Sequence, residues 1–135
     1  QFDVAIQGDG FFIVELPSGQ EVYTRAGAFQ LNQSGQVVTA EGYLVLPGIT
    51  IPDDAVSVTI NPEGEVFVSF SDQTDDQLIG QFDMARFVNP AGLEALGDNL
   101  YKQTSASGDP LQATAGEPGF GTLLQRFLET SNVDV

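Results

Sequence analysis

The chain runs to 135 residues and is 41% hydrophobic, with ten Phe and no Trp, which suits one globular domain and excludes a disordered chain. Nineteen acidic residues stand against four basic ones, a formal net charge of −15. Those four cations, Arg25, Arg86, Lys102 and Arg126, are scattered along the chain, too few to neutralise phosphates, so no nucleic-acid partner is expected and anionic membranes are disfavoured.

Glycines punctuate the sequence at short intervals, and β-branched or aromatic residues fill the gaps. Gly8-Asp9-Gly10 suits a tight turn or bulge leading into a strand. Phe11–Glu15 reads as that strand, ended by Leu16-Pro17-Ser18-Gly19, with Glu21–Arg25 as its hairpin partner. Ala28–Leu31 alternates apolar with polar, and Asn32-Gln33-Ser34-Gly35 supplies a turn. Gln36–Thr39 and Tyr43–Leu46 flank a further turn at Ala40-Glu41-Gly42, giving the rhythm of a β-meander. Val56, Val58 and Ile60 share one face of the next strand in a period of two, and Val66, Val68 and Phe70 resume the alternation after Asn61–Gly64. An acidic loop, Ser71–Asp76, leads into one longer strand from Leu78 to Phe87.

The character then changes. Val88–Gly92 is a turn, and Leu93–Leu96 is too short for an independent helix. Gln103–Gly121 is rich in Ser, Gly, Ala, Thr and Pro; it reads as an irregular loop held on the sheet by Leu111 and Phe120, because a strand-like Leu123–Leu128 follows. The fold expected is mainly β, a single compact antiparallel domain over residues 1–135, built of meanders and hairpins, sandwich- or barrel-like, with an irregular C-terminal loop.

Motifs for chemistry fail on composition and spacing. Without Cys there are no disulfides or thiolates, and without His the commonest base and metal ligand is missing. Gly8-Asp9-Gly10 lacks the third glycine and following helix of a phosphate-cradling loop. Asp72, Asp75 and Asp76 do not have the alternate-position spacing of a calcium loop. Paired carboxylates for glycoside hydrolysis arise by chance among so many acids, and no Trp is present to stack a sugar. Lys102 beside Ser105 or Ser107 could only be a Ser–Lys arrangement in a loop already rich in Ser. Asn32-Gln33-Ser34 matches a glycosylation acceptor but is better explained as a turn. No run reaches the ~20 apolar residues of a membrane-spanning helix. No cofactor, metal or catalytic residue is therefore assigned.

What remains is an ordered series of short strings. Asp3-x-Ala5-Ile6-x-Gly8-x-Gly10-Phe11-Phe12 resembles the start of the core in bacterial flagellar rod and hook proteins. Tyr23-Thr24-Arg25-x-Gly27-x-Phe29 is similar to the next block, followed by Gly35, Val37-Val38-Thr39 and Gly42. Ile49-Thr50-Ile51-Pro52 with Val58, Ile60, Gly64, Val66 and Val68 resembles the distal-rod branch in particular. Gly92-Leu93, Gly97-x-Asn99-Leu100-Tyr101, Ser107-Gly108-Asp109-Pro110 and Ser131-Asn132-Val133-Asp134 complete the series.

The resemblance implies a structural role in a helically stacked shaft that carries torque from motor to hook. It implies assembly with copies of itself, with neighbouring rod and hook proteins and with surrounding ring proteins, in the basal-body rod that crosses the periplasm. Export through the flagellar secretion apparatus is implied as well, and the lack of Cys is compatible with threading an unfolded chain. Family members carry helices on both sides of this core, so the sequence is expected to be a core piece without its assembly helices, monomeric by itself. The alternatives are a hook or proximal-rod core and, from another class, an acidic β-domain that acts as a binding module of a surface adhesin.

Overall fold

The computed structural model describes residues 2–126, and nearly all of its regular structure is β. The first half contributes β1 (Phe2–Gln7), β2 (Phe11–Glu15), β3 (Glu21–Thr24), β4 (Ala28–Leu31), β5 (Val37–Thr39) and β6 (Leu44–Val45). A three-stranded meander follows, made of β7 (Ala55–Ile60), β8 (Glu65–Phe70) and β9 (Gln77–Gln81). The rest holds β10 (Met84–Arg86), a 3-10 turn at Pro90–Gly92, β11 (Glu94–Gly97), β12 (Leu100–Lys102), β13 (Leu111–Ala113) and β14 (Thr122–Arg126).

Eleven strands form one large sheet: nine follow the order β11-β12-β3-β2-β6-β5-β4-β1-β14, an open path that does not close into a barrel, and β10 with β13 branches from it at β2. Its pivot is β2. One edge of β2 pairs with β3 from Phe12 to Glu15. The other edge is shared, with β10 opposite Phe11 and Phe12 and β6 opposite Val14 and Glu15. The small sheet packs its inner face on the large one. Ile60, Val66 and Val68 from the former join Val4, Phe12, Phe29, Val37, Val45 and Leu123 from the latter in one core cluster. Phe12 sits at its centre, with no exposed surface and edge-on contacts to Phe29 (5.0 Å between centroids) and Phe82 (5.8 Å).

Three sequence expectations are corrected, and one segment left without an element gains one. The strand expected from Leu78 to Phe87 is two strands, because β9 ends at Gln81 and Phe82 turns into the core before β10 starts at Met84; β9 and β10 belong to different sheets. Val56 does not share a face with Val58 and Ile60. A register shift between Ala55 and Ser57 turns Ala55 inward and leaves Val56 63% exposed. The short segment around Leu93–Leu96 is an edge strand, β11, paired with β12. The Gln103–Gly121 loop does lie on the domain, but Leu111 is 45% exposed and does not anchor it. Its anchors are the pairing of β13 with β10, buried Ser107 and Ala115, and partly buried Phe120. The last strand is described as far as Arg126; Phe127 and Leu128 of the expected segment lie outside the described residues.

Phe12→Ala should lower the unfolding free energy by about 3–5 kcal/mol, the usual range for emptying a packed aromatic site. Urea titration should show this as an earlier midpoint with an unchanged slope.

Candidate functional site

The two N-terminal motif blocks, separated in sequence by a hairpin, meet in space. β1 pairs with β14 from Asp3 opposite Arg126 to Gln7 opposite Thr122. On its other edge, β4 reaches only Phe2 and Asp3. Past that point the sequence provides two substitutes for a strand partner. The first is backbone: Val4 N–H donates to the Gly27 carbonyl at 2.9 Å. Gly27 has no room for a side chain, since an added Cβ would lie 1.8 Å from the Val4 carbonyl oxygen. The second substitute is the Arg25 guanidinium. Its Nη1 donates to the carbonyls of Gly8 (2.6 Å) and Gly10 (2.8 Å), and its Nη2 to that of Ile6 (3.3 Å). A planar fork of donors suits three carbonyls on a curved segment.

The other motif residues build the walls of this junction. Thr24 is buried, and its hydroxyl oxygen accepts from the Ala26 N–H at 3.0 Å, turning the chain between β3 and β4. Gly8, at φ +122°, faces Gly121 so closely that a Cβ on it would lie 2.8 Å from the Gly121 Cα. The Gly121 N–H donates to the Asp9 carbonyl at 2.8 Å, which fixes the end of the long loop there. Gly10 lies beside Met84 and Phe120. Ile6 packs on the main core, while Ala5 stands opposite Leu124. Asp3 forms an ion pair with Arg126 at 3.4 Å.

Phe12 and Phe29 fill the main core, whereas Phe11 and Tyr23 turn to a second cluster around Phe87. The Tyr23 and Phe87 rings meet edge-on at 4.8 Å. Burial, with a smaller contribution from the Glu21 charge, holds the Tyr23 phenol above its ordinary range. Ser131, Asn132 and Val133 lie outside the described residues.

Sequence reasoning had no means of placing Asp83, which burial pushes above the usual carboxylate range. A carboxylate disfavoured in the folded state destabilises it when charged. The cost is present above the folded pKa and vanishes as pH falls below the unfolded value.

Elsewhere, chemistry is not assembled. Among the described residues no three acidic side chains come together as a group able to hold a metal ion. Lys102 and Ser105 line one wide surface groove of 760 Å³, with no hydrogen bond between them among the described residues. The Ser107 hydroxyl is engaged by its own loop, donating towards the carbonyls of Thr104 (2.9 Å) and Gly108 (3.0 Å). Asn32 is likewise committed to its turn, its side-chain oxygen accepting from Ser34 N–H (2.9 Å) and Gln36 N–H (3.0 Å).

The motif residues thus meet in one Arg-fastened junction of glycines and aromatics. The sequence matches the flagellar hook protein FlgE/F/G D1 domain over residues 5–68. It is 54% identical over 132 residues to the flagellar basal-body rod protein FlgG of Caulobacter vibrioides, covering 98% of this chain and 50% of that protein. It is 42% identical to the FlgG of Bacillus subtilis, covering 98% of this chain and 52% of that one. The flagellar hook protein FlgE of Escherichia coli is 45% identical over 84 residues, 62% of this chain and 21% of the hook protein. The chain thus belongs to the flagellar hook and rod family. Within that family it is of the distal-rod type, matching FlgG along nearly its whole length. It spans about half the length of the curated rod proteins it matches.

Arg25→Ala should cost about 2 kcal/mol of stability, since three charge-assisted hydrogen bonds are replaced by hydration at a partly exposed site. Arg25→Lys should recover less than half of that in the same urea titration. Gly27→Ala should be the more damaging change, because its Cβ meets a carbonyl carried by β1. Asp83→Asn should raise the melting temperature at pH 7, and the gain should disappear as pH is lowered through the carboxylate range.

Proposed function

We propose that the chain is a structural subunit of the flagellar distal rod, the shaft that carries torque from motor to hook. The observation that carries this reading is the likeness to rod proteins over 98% of the chain. The match to the hook protein covers less of the chain, which favours the rod over the hook. An adhesin module finds no support in these relationships. The chemistry agrees with a load-bearing part: motif residues serve backbone carbonyls and the core, and Ser107 and Asn32 are engaged by their own turns. We further propose that residues 1–135 act as one β core, that the family-motif residues hold it rigid, and that its partners are copies of itself and adjoining rod, hook and ring proteins. No catalytic role and no cofactor is proposed.

In the bacterium that makes it, the chain should copurify with basal bodies after detergent extraction, and its deletion should abolish swimming with hooks lost from the cell surface. Basal bodies of normal composition from the deletion strain would sink the reading.

A further inference from the structure

The register of the strands gives the domain two poles. β1 and β14 run from Asp3–Arg126 at one end to Gln7–Thr122 at the other. The small sheet lies along them: Leu123 N–H donates to the Pro62 carbonyl, and Gln125 bridges Ile60 N–H (2.8 Å) and the Val58 carbonyl (3.0 Å). As β14 advances towards Arg126, β7 therefore retreats towards Ala55, which pairs with Phe70. The acidic loop that follows Phe70 consequently lies at the Asp3–Arg126 pole. Residues 71–78 are all exposed, and the loop offers Asp72, Asp75 and Asp76 with half-exposed Leu78 beside them.

The opposite pole is the one place where two of the four cations converge. A cleft of 430 Å³ at the Gly8–Gly10 end is lined by Arg25, Arg86, Phe11, Phe87, Val88 and the carboxylate-bearing Asp9. Arg25 is occupied with carbonyls; Arg86 is not. Its guanidinium lies over the Phe120 ring at 5.8 Å, its buried Nε has no hydrogen-bond partner, and no carboxylate lies within 4.0 Å among the described residues. That is an unusual state for a cation in a chain with 19 acids. Beside it Val88 is 82% exposed. One pole thus carries carboxylates and an apolar residue, and the other a guanidinium without an anion and an apolar residue.

We propose that the Arg86–Val88 cleft receives the Asp72–Asp76 loop of a second copy of this chain, head to tail. The occupant is a second copy because the complementary charge is borne by this same surface. Any chain that continues beyond β1 or β14 also sets off from the far pole, about 17–20 Å away along a six-residue strand. A contact between unlike patches repeats along a line and does not close on itself, which is the symmetry of a filament. Each contact is weak, exposed and screened by salt, so it acts only when multiplied along an assembly. The inference rests on the rod reading above and specifies which faces meet.

The test uses the full encoded chain in its own bacterium. These 135 residues hold no Cys; with any Cys elsewhere in the encoded chain replaced by Ser, Val88→Cys with Asp75→Cys gives two unique thiols, and a short bis-maleimide is applied to isolated basal bodies. A ladder of dimers and higher multiples is expected, absent when Glu94→Cys on the β11 edge replaces Asp75→Cys. Arg86→Glu should reduce swarming, and adding Asp75→Lys with Asp76→Lys in the same chain should restore it. Chain present in basal bodies without the ladder and without rescue by the swap would overturn this contact and leave the rod assignment standing. A cross-linked product of another mass would seat a different protein in the cleft and overturn it too. Absence of the chain from basal bodies would overturn both.

Discussion

One edge of one strand decides whether this architecture holds. β1 stands between β4 and β14 in the large sheet, yet β4 covers only its first two residues. Beyond Asp3 the inner edge of β1 would present unpaired carbonyls next to a packed core that includes Val4 and Ile6. Arg25 and Gly27 remove that liability, one by supplying donors where no strand reaches, the other by letting two backbones nearly touch. β14 depends on β1, and Leu123 on β14 closes the core under the small sheet. The end of the long loop depends on the same region through the Gly121–Asp9 hydrogen bond. Removing the Arg25 fork would therefore be felt on three sides at once.

Much of this was legible in the sequence, and the exceptions have physical causes. Alternation in Val66 and Val68 reported a half-buried strand because burial there follows the pleat, with Phe70 partly buried at its end. The same alternation misled at Val56, since one extra residue in a bulge inverts every side chain before it. Leu78–Phe87 looked continuous because both sheets contribute to one core, so the apolar run does not break where the chain changes sheets. The motif strings were visible, but not what joins them: a guanidinium bonded to backbone carbonyls leaves no trace in the identity of its partners. Nothing in the order of residues could show that Arg86 stacks on Phe120, thirty-four positions away, or that it lacks an anion.

The charge pattern acquires a different sense once the poles are known. Nineteen acids spread over a surface keep copies apart, which suits a part that must stay soluble until it is placed. Four cations cannot offset that, but their positions can direct it. Arg126 is spent on Asp3, and Arg25 on carbonyls, which leaves the Arg86 side chain as the cation without a bonded partner at its pole. General repulsion with a single attractive orientation gives specificity at little cost in affinity.

The β1–β14 ribbon also sets how the domain responds to load. Asp3 and Arg126 are neighbours, so both strands are entered from the same side. A force that drew the two entry points apart would open the ribbon like a zipper, breaking one rung at a time from the Asp3–Arg126 pair inward. A force applied to both entry points together would instead be shared by all five paired positions, from Asp3–Arg126 to Gln7–Thr122. The domain is thus strong when its two stems move as one and weak when they separate. Any structure that holds it as a working part must clamp those stems side by side.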